Sequence, residues 1–577
     1  MIAAQTNRSA VPPLDSVSEA RFRGIRSWLT WVALGCLLAF AAWLRFTLPA
    51  VPFADPDTYG YLNPGLTWLR SGVFQQTHGR SLFYPLFVAV LLKTTGSFSA
   101  IPLCQHVLGL GSGLLWWMLW RGGVRLLPPG FCRAWLAPLI GLAALAVYLL
   151  GAELIVFEHS LRPEAIFPFF ALAHLAALYA CVRRVLEGEG RGWVVAGLGG
   201  LALGLDAVVL SLKPSWSFAS LVAPAVLAGC FFLRTARRFR LSLAAAIVLG
   251  GGIVWILNGA LPRALHWKPD QFARLFLPQT LVSVHADKIV AEFERGALDP
   301  REREFACRLG IALEVAREGS RVPPYFSLGF NPDFILYESD VFQSLPVAPD
   351  TVESRRVYLL GLYFRSLRAR PWDFAAKWGG ELLRLYRPEH KQLFRASFRQ
   401  RREYEYTGSQ AWLAHPQPNP GSPPWLEAAL EDYRTRLQKA QSAAPAEHRT
   451  CPVGPKTHKK YGVPMLKAAA WALGPIILGI PFLGLCCGGR LRDLRRFLGF
   501  GCVGVAFSLG AGLTVAIVHS FSIERYSAVL LFLHSLLLGF GLLLGGVLLE
   551  RLLTWTGRRL LPRLHRASSQ EGGSAPQ

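Results

Sequence analysis

Residues 21–57 read RFRGIRSWLTWVALGCLLAFAAWLRFTLPAVPFADPD. Arg21, Arg23 and Arg26 precede an apolar run over roughly 27–49, and two carboxylates, Asp55 and Asp57, follow it. About 20 apolar residues is the length of helix that crosses a bilayer. The run is followed by no small-residue cleavage site, so it reads as a retained first span rather than a removed signal peptide.

Working outward, the same pattern recurs. Further spans are expected at roughly 100–120, 134–152, 163–182, 192–211, 216–233, 241–261, 464–487, 497–519 and 526–549. Over 577 residues the chain is 52% hydrophobic and only 17% charged, against about 25% charged in soluble domains. The formal net charge of +24 could suggest nucleic acid, but its position excludes that reading. Arg121 and Arg125, Arg183, Arg184 and Arg191, Arg234 to Arg240, Arg490 to Arg496, and Arg551 to Arg563 all fall in short segments on one side of the spans. That side is cytoplasmic by the positive-inside rule, where arginine also meets anionic lipid headgroups. Both termini are therefore expected in the cytoplasm.

The expected architecture is an all-α polytopic membrane protein with a mostly helical outer domain between the seventh and eighth spans. It divides into a cytoplasmic N-terminus (1–26), a transmembrane module (27–261) with a first outer loop over 50–99, a non-cytoplasmic domain (262–463), a second transmembrane module (464–550) and a basic, disordered tail (551–577). Helix-like stretches are expected around 284–318 and 351–386, while 405–463, rich in Pro, Gln and Ser, reads as looser. The ten cysteines show no metal-site spacing. Cys307 and Cys451 lie in the long water-facing segment, where a disulfide is open to them if that side is oxidising.

The chemistry concentrates in Phe53-Ala54-Asp55-Pro56-Asp57-Thr58-Tyr59-Gly60-Tyr61-Leu62. A carboxylate at a low-dielectric boundary costs free energy unless it has a partner or a task. A loop residue at Asp55 and a helix cap at Asp57 would account for them equally well. Arg80 and the run Phe83-Tyr84-Pro85-Leu86-Phe87 follow, leading an amphipathic surface helix.

This arrangement resembles the GT-C superfamily of polytopic glycosyltransferases, in its protein-mannosyltransferase and aminoarabinose-transferase-like bacterial branch. The resemblance rests on the acidic motif Asp55-Pro56-Asp57, on Asp57-Thr58-Tyr59-Gly60-Tyr61-Leu62, and on Arg80 to Phe87. It extends to Phe157-Glu158-His159-Ser160-Leu161-Arg162-Pro163-Glu164 and to Glu524-Arg525-Tyr526. It covers about 1–260 and 464–550, and leaves 262–463 unmatched.

What the resemblance implies is transfer of a sugar from a polyprenyl-phosphate-linked donor to an acceptor glycan, lipid or protein outside a bacterial inner membrane. Such a reaction needs a base for the acceptor and cations for the departing phosphate. Asp57 aligns with the family's acidic residue and is the first candidate base; Asp55 is the second, or orients a partner or helps hold a metal. Arg80, Arg162, Lys213 and Arg525 are the candidate phosphate binders. Lys213 as a snorkelling lysine and Arg525 as a headgroup anchor are the simpler alternatives. Tyr59, Tyr61, Tyr84, Glu158, His159, Glu164 and Tyr526 are candidates for contact with substrate; Glu158 and Glu164 equally well pair with Arg162. No cofactor is called for, and a divalent metal is compatible with the acidic pair but not implied by it.

Gly109, Gly111, Gly113 and Gly250 to Gly252 lie inside apolar runs and read as helix packing rather than nucleotide loops. The competing function is a transporter or lipid flippase, which would place ionisable groups within the spans; Glu153, His174 and Asp206 are the candidates. A structural assembly factor is the third reading.

Overall fold

A chain in hydrocarbon must satisfy its own backbone N–H and C=O groups, so its apolar runs fold as helices. The computed structural model describes residues 14–571 apart from 55–56, 78, 272, 295–299, 319–327, 344, 387–396, 400–421, 443–446, 450–459, 461–462, 487–490 and 519–522. The first half contains α1 (Leu14–Phe46), α2 (Thr58–Ser71), α3 (Phe83–Thr95), α4 (Ala100–Val124), α5 (Ala137–Leu149), α6 (Ala152–His159), α7 (Phe167–Glu187), α8 (Gly192–Leu212), α9 (Val222–Phe232), α10 (Arg240–Trp255) and α11 (Leu261–Ala264). A helical segment follows with α12 (Ala273–Val284), α13 (Ala286–Phe293), α14 (Pro300–Glu318), α15 (Val352–Ala369), α16 (Pro371–Leu385) and α17 (Pro424–Ser442). The chain then returns to α18 (Val463–Cys486), α19 (Arg495–Val518), α20 (Ile523–Val529) and α21 (Leu531–Glu571). Strands β1 (Ser397–Arg399) and β2 (Glu447–Arg449) pair antiparallel.

The result is an all-α polytopic membrane protein. Ten spans were expected; seven described helices are long and apolar enough to cross a bilayer, or eight when α3 and α4 count as one broken span. The two remaining positions hold shorter apolar helices, Ala219–Phe232 and Trp471–Leu485. One of them follows the 3-10 turns after Lys213, and the other carries Pro475 and Pro481. The surface helix expected after Arg80 is α3, set at 119° to α4. Gly96 makes that corner: it closes α3 at φ 64, donating its N–H to Leu92 O at 2.8 Å, a conformation that glycine adopts without a side-chain clash.

Close helix approach depends on small residues, as membrane packing requires. A Cβ on Gly200 would stand 2.7 Å from Leu249 Cβ, and one on Gly250 2.5 Å from Leu203 Cβ, so α8 and α10 meet nearly backbone to backbone. Gly251 and Gly252 face open space. Trp116, Trp120, Trp216 and Tyr148 fill the centre of the bundle. Their polar ends are satisfied; Trp116, for example, donates to Phe532 O at 2.9 Å.

The expected helices near 284–318 and 351–386 are present as α13 to α16, around a core that includes Ile289, Phe305, Leu313, Ile335 and Leu359. The looser stretch expected over 405–463 is corrected in part. Residues 424–442 form α17, because Leu426, Leu430, Tyr433 and Leu437 make one apolar stripe at helical spacing, and all four are buried against the bundle. Cys307 is exposed on α14, and Cys451 lies outside the described residues.

Where α12 meets α16, His285 is buried and held as a neutral ring. Its Nδ1 donates to Leu281 O at 2.9 Å, and its Nε2 accepts from Trp378 Nε1 at 3.2 Å. Burial, then the charges of Lys377 and Lys288, push its pKa well below the ordinary 6.5, against the Leu281 bond. Below pH 6.5 the unfolded chain takes up a proton that the folded ring refuses, so stability is complete above that value and declines as pH falls towards the depressed pKa. Thermal unfolding of the detergent-solubilised protein should therefore show a midpoint that falls between pH 7 and pH 5. His285→Phe, which keeps the ring stacked on Phe374, should start lower and fall less; equal slopes for the two proteins would reject the assignment.

Candidate active site

The first loop is held from below by backbone. Phe53 N donates to His159 O and Leu161 N donates to Phe53 O, both at 2.9 Å, a single parallel bridge between the loop and the turn after α6. From the other side, Tyr433 of α17 donates its hydroxyl to Pro52 O at 2.7 Å and stacks on Phe98 with ring centroids 4.5 Å apart. Four residues after Phe53 the chain reaches Asp57, at the N-terminal boundary of α2. Its carboxylate makes no capping hydrogen bond to that helix; it turns to charge partners instead.

Arg80 approaches Asp57 from a tied turn. Gln76 donates its side-chain amide to Arg80 O at 3.0 Å and accepts from Asp270 N at 2.9 Å, joining the loop to the segment after α11. Gly79, at φ 68, lets the chain pass 3.2 Å from Ala273 Cβ measured at an added Cβ position. Arg80 Nη2 then donates to Asp57 Oδ1 at 2.6 Å, and its guanidinium lies over the Tyr61 ring, 4.7 Å from the centroid. Arg162 reaches the other carboxylate oxygen at 3.5 Å. Asp57 and Arg80 are each 28% exposed, so a ligand can reach the pair while water is partly excluded.

The charge chain continues inward. Arg162 stands 3.9 Å from Glu164, and Lys213 Nζ donates to Glu164 Oε1 at 2.9 Å. Lys213 also lies over the Tyr526 ring at 5.3 Å. Tyr61 meets Tyr84 edge to face at 5.6 Å, and Tyr84 donates to Gln105 Oε1 at 2.9 Å. Three cations and two carboxylates with an aromatic wall thus occupy one end of the bundle. A local excess of positive charge beside aromatic faces suits a phosphate with a sugar attached.

A second network lies beneath it. Arg45, in the last turn of α1, donates from Nε to Glu158 Oε2 at 2.6 Å and from Nη2 to Oε1 at 2.9 Å, with both side chains fully buried. His106 Nδ1 meets the same carboxylate at 3.0 Å, and its Nε2 faces His159 Nδ1 at 3.3 Å. Burial would raise the Glu158 pKa; the charge of Arg45 and the hydrogen bonds from His106 and Arg45 outweigh it and hold the group below the usual carboxylate range. Gln105 donates to Glu158 O and Ser160 O, at 2.8 and 3.0 Å. This network fixes the turn to which Phe53 is bridged.

The chain has distant neighbours among solved structures. Its solved neighbours include ArnT from Cupriavidus metallidurans bound to undecaprenyl phosphate, at 12% identity over 87% of this chain and 77% of that one, with a TM-score of 0.27. The apo state of that protein gives 14% identity over 87% and 78%, with a TM-score of 0.26. Arabinosyltransferase EmbB from Mycobacterium smegmatis gives 14% identity over 84% of this chain and 41% of that one, with a TM-score of 0.33. No family model matches the sequence, and no curated protein matches it. At such TM-scores residue roles rest on the geometry of this chain alone.

Of the residues singled out in the sequence, Asp57, Arg80, Arg162, Glu164, Lys213, Tyr61, Tyr84 and Tyr526 come together. Tyr59 is half-buried in the first turn of α2. Glu158 and His159 belong to the lower network, where Glu158 pairs with Arg45 rather than Arg162. Asp55 lies outside the described residues, and so does the side chain of Arg525. Arg45, His106 and Gln105 escaped sequence reading. The available signal was a charged residue inside an apolar run. Gly109 is also more than packing, since an added Cβ would overlap Glu158 Oε1 at 2.2 Å. Among the described residues, no three His, Cys, Asp or Glu side chains gather as metal ligands.

Breaking a buried ion pair by removing one partner costs about 3–5 kcal/mol, whereas replacing both with apolar groups is often neutral. Glu158→Leu should accordingly lower the thermal midpoint sharply, and Arg45→Met with Glu158→Leu should restore most of the loss. A single variant as stable as the parent would remove the pair's anchoring role.

Proposed function

We propose that this chain is a membrane glycosyltransferase that moves a sugar from a polyprenyl-phosphate-linked donor to an acceptor glycan, lipid or protein. The active end of the bundle faces away from the arginine-rich loops, which are cytoplasmic, in a bacterial inner membrane. The observation that carries this reading is the Asp57 carboxylate set between Arg80 at 2.6 Å and Arg162 at 3.5 Å, with the Lys213–Glu164 pair beside it.

Asp57 neutralises two guanidinium groups that a phosphate would also bind. A donor phosphate entering the cluster competes for Arg80 and Arg162 through charge-assisted, bidentate hydrogen bonds, and in doing so releases Asp57. The freed carboxylate takes the proton of the acceptor group while that atom attacks the anomeric carbon. The bond from that carbon to the phosphate oxygen breaks, its electron pair stays on the phosphate, and Arg80, Arg162 and Lys213 stabilise the charge. The base is thus available only when the donor is bound, which protects against idle hydrolysis. Arg525 and Asp55 remain candidates for the same tasks on the strength of the family motif. Tyr61, Tyr84 and Tyr526 would give the sugar its aromatic walls, and Tyr59 stands next to them.

One observation favours transport as the second reading. His174 of α7 and Asp206 of α8 meet within the spans, Nε2 to Oδ1 at 3.7 Å, and Trp216 donates to Asp206 at 3.0 Å. Intramembrane ionisable groups commonly mark a solute or proton path.

Purified full-length protein in proteoliposomes, supplied with lipid-linked sugars and an envelope extract as acceptor, separates the two. Asp57→Asn should remain folded and lose about 10²–10⁴-fold in kcat, the usual contribution of a general base. Arg80→Ala should raise the donor KM and also lower kcat, since Arg80 both binds the phosphate and stabilises its departure. Undiminished transfer by Asp57→Asn removes the base assignment. Solute or lipid movement that survives Asp57→Asn and stops with Asp206→Asn would favour transport.

A further inference from the structure

Towards the far end of α7 from Glu164, the bundle contains a second feature that sugar transfer does not use, with its charged rim about 30 Å along the helix. The helix starts three residues after Glu164 and runs 21 residues to Glu187 at about 1.5 Å per residue. Here α4, α7, α9, α19 and α21 enclose a cavity of about 710 Å³. Its interior is leucine, valine and aromatic side chain, and its rim is Arg183, Glu187, Arg495 and Arg496.

Depth and charge define what fits. On α7 the lining extends from Leu175 to Glu187, roughly 18 Å along the axis, close to one leaflet of an approximately 30 Å hydrocarbon core. At the rim Arg183 is already paired with Glu187 at 2.9 Å. Arg495 and Arg496 are exposed and have no carboxylate partner among the described residues. The cavity therefore offers apolar surface for a chain one leaflet long and two unneutralised guanidinium groups at headgroup level. A zwitterionic headgroup would leave that charge unmatched; a phosphodiester carrying a net negative charge would match it.

We infer that this cavity is a binding site for one anionic glycerophospholipid of the leaflet next to the arginine-rich loops, its acyl chain between α7 and α19 and its phosphate on Arg495 and Arg496. Its charged rim lies at the opposite end of α7 from Glu164 and the donor site.

The cavity can be filled without disturbing its walls. Gly229 on α9 and Gly499 on α19 both line it, and a Cβ at either meets nothing within 4 Å. Leucine there adds volume inside the cavity and raises helix propensity. The test exposes full-length protein in detergent to mixed vesicles of equal phosphatidylglycerol and phosphatidylcholine, then counts retained lipid by native mass spectrometry. The parent should keep one phosphatidylglycerol per chain in at least about tenfold preference, or 1.4 kcal/mol. Arg495→Ala with Arg496→Ala should abolish the preference while lipid is still retained. Gly499→Leu, and independently Gly229→Leu on α9, should cut retained lipid of either headgroup, with a normal thermal midpoint showing that the variant is folded. Equal retention of the two lipids by the parent, or undiminished phosphatidylglycerol in both filled variants, overturns the proposal. Displacement of phosphatidylglycerol by added polyprenyl phosphate at equal concentration also counts against it, since the site would then belong to the carrier.

Discussion

Arg45 and Glu158 come from the end of the first span and from the last turn of α6, 113 residues apart, and meet with no exposed side-chain surface. Neither charge is tolerable there alone, because several kcal/mol of hydration is lost by each on burial. Together with His106 they hold the turn at 158–161, and that turn holds Phe53 by two backbone hydrogen bonds. The position of Asp57 is inherited from this chain of constraints. The loop would otherwise be a flexible connection between α1 and α2, and a carboxylate on it would have no fixed relation to Arg162 or Lys213.

A rigid lower network lies beneath an accessible upper one, a division that suits the donor site proposed above. The lower charges are paired bidentately and buried. The upper ones are partly exposed and share partners, so they can exchange one anion for another. Preorganised dipoles and charges are most effective when they need not be assembled at the moment of reaction. Here the buried lower network supplies the order, and the upper Asp57–Arg80–Arg162 contacts are the ones a ligand can reach. Helix α17 adds a second constraint from the large inserted segment, through Tyr433 on Pro52 and Glu427 on Arg70 at 3.2 Å.

Much of this was legible because hydropathy is local. Runs of about 20 apolar residues announce helices without reference to the rest of the chain. The charged residues of the upper cluster were also legible, since each is an acid or base stranded next to an apolar run, where it needs an explanation. Long-range complementarity was not. Arg45 looks like one more flanking arginine until Glu158 is placed against it, and Gly109 looks like helix packing until the carboxylate occupies its missing side chain. Helix α17 was concealed for a different reason: Pro, Gln and Ser set the regional composition, while a stripe of four buried residues decides the structure.

The Arg45–Glu158 pair also bears on how the protein is made. Arg45 leaves the ribosome first, and its partner, 113 residues later, follows about 6–23 s afterwards at about 5–20 residues per second. During that interval the first helix carries an unpaired guanidinium near the edge of the bilayer. It can hold that charge at the interface by extending the side chain towards water, but it cannot settle at its final depth. Biosynthesis therefore couples α1 to α6: roughly the first quarter of the chain, to His159 of 577 residues, matures as one unit when Glu158 arrives and draws Arg45 inward.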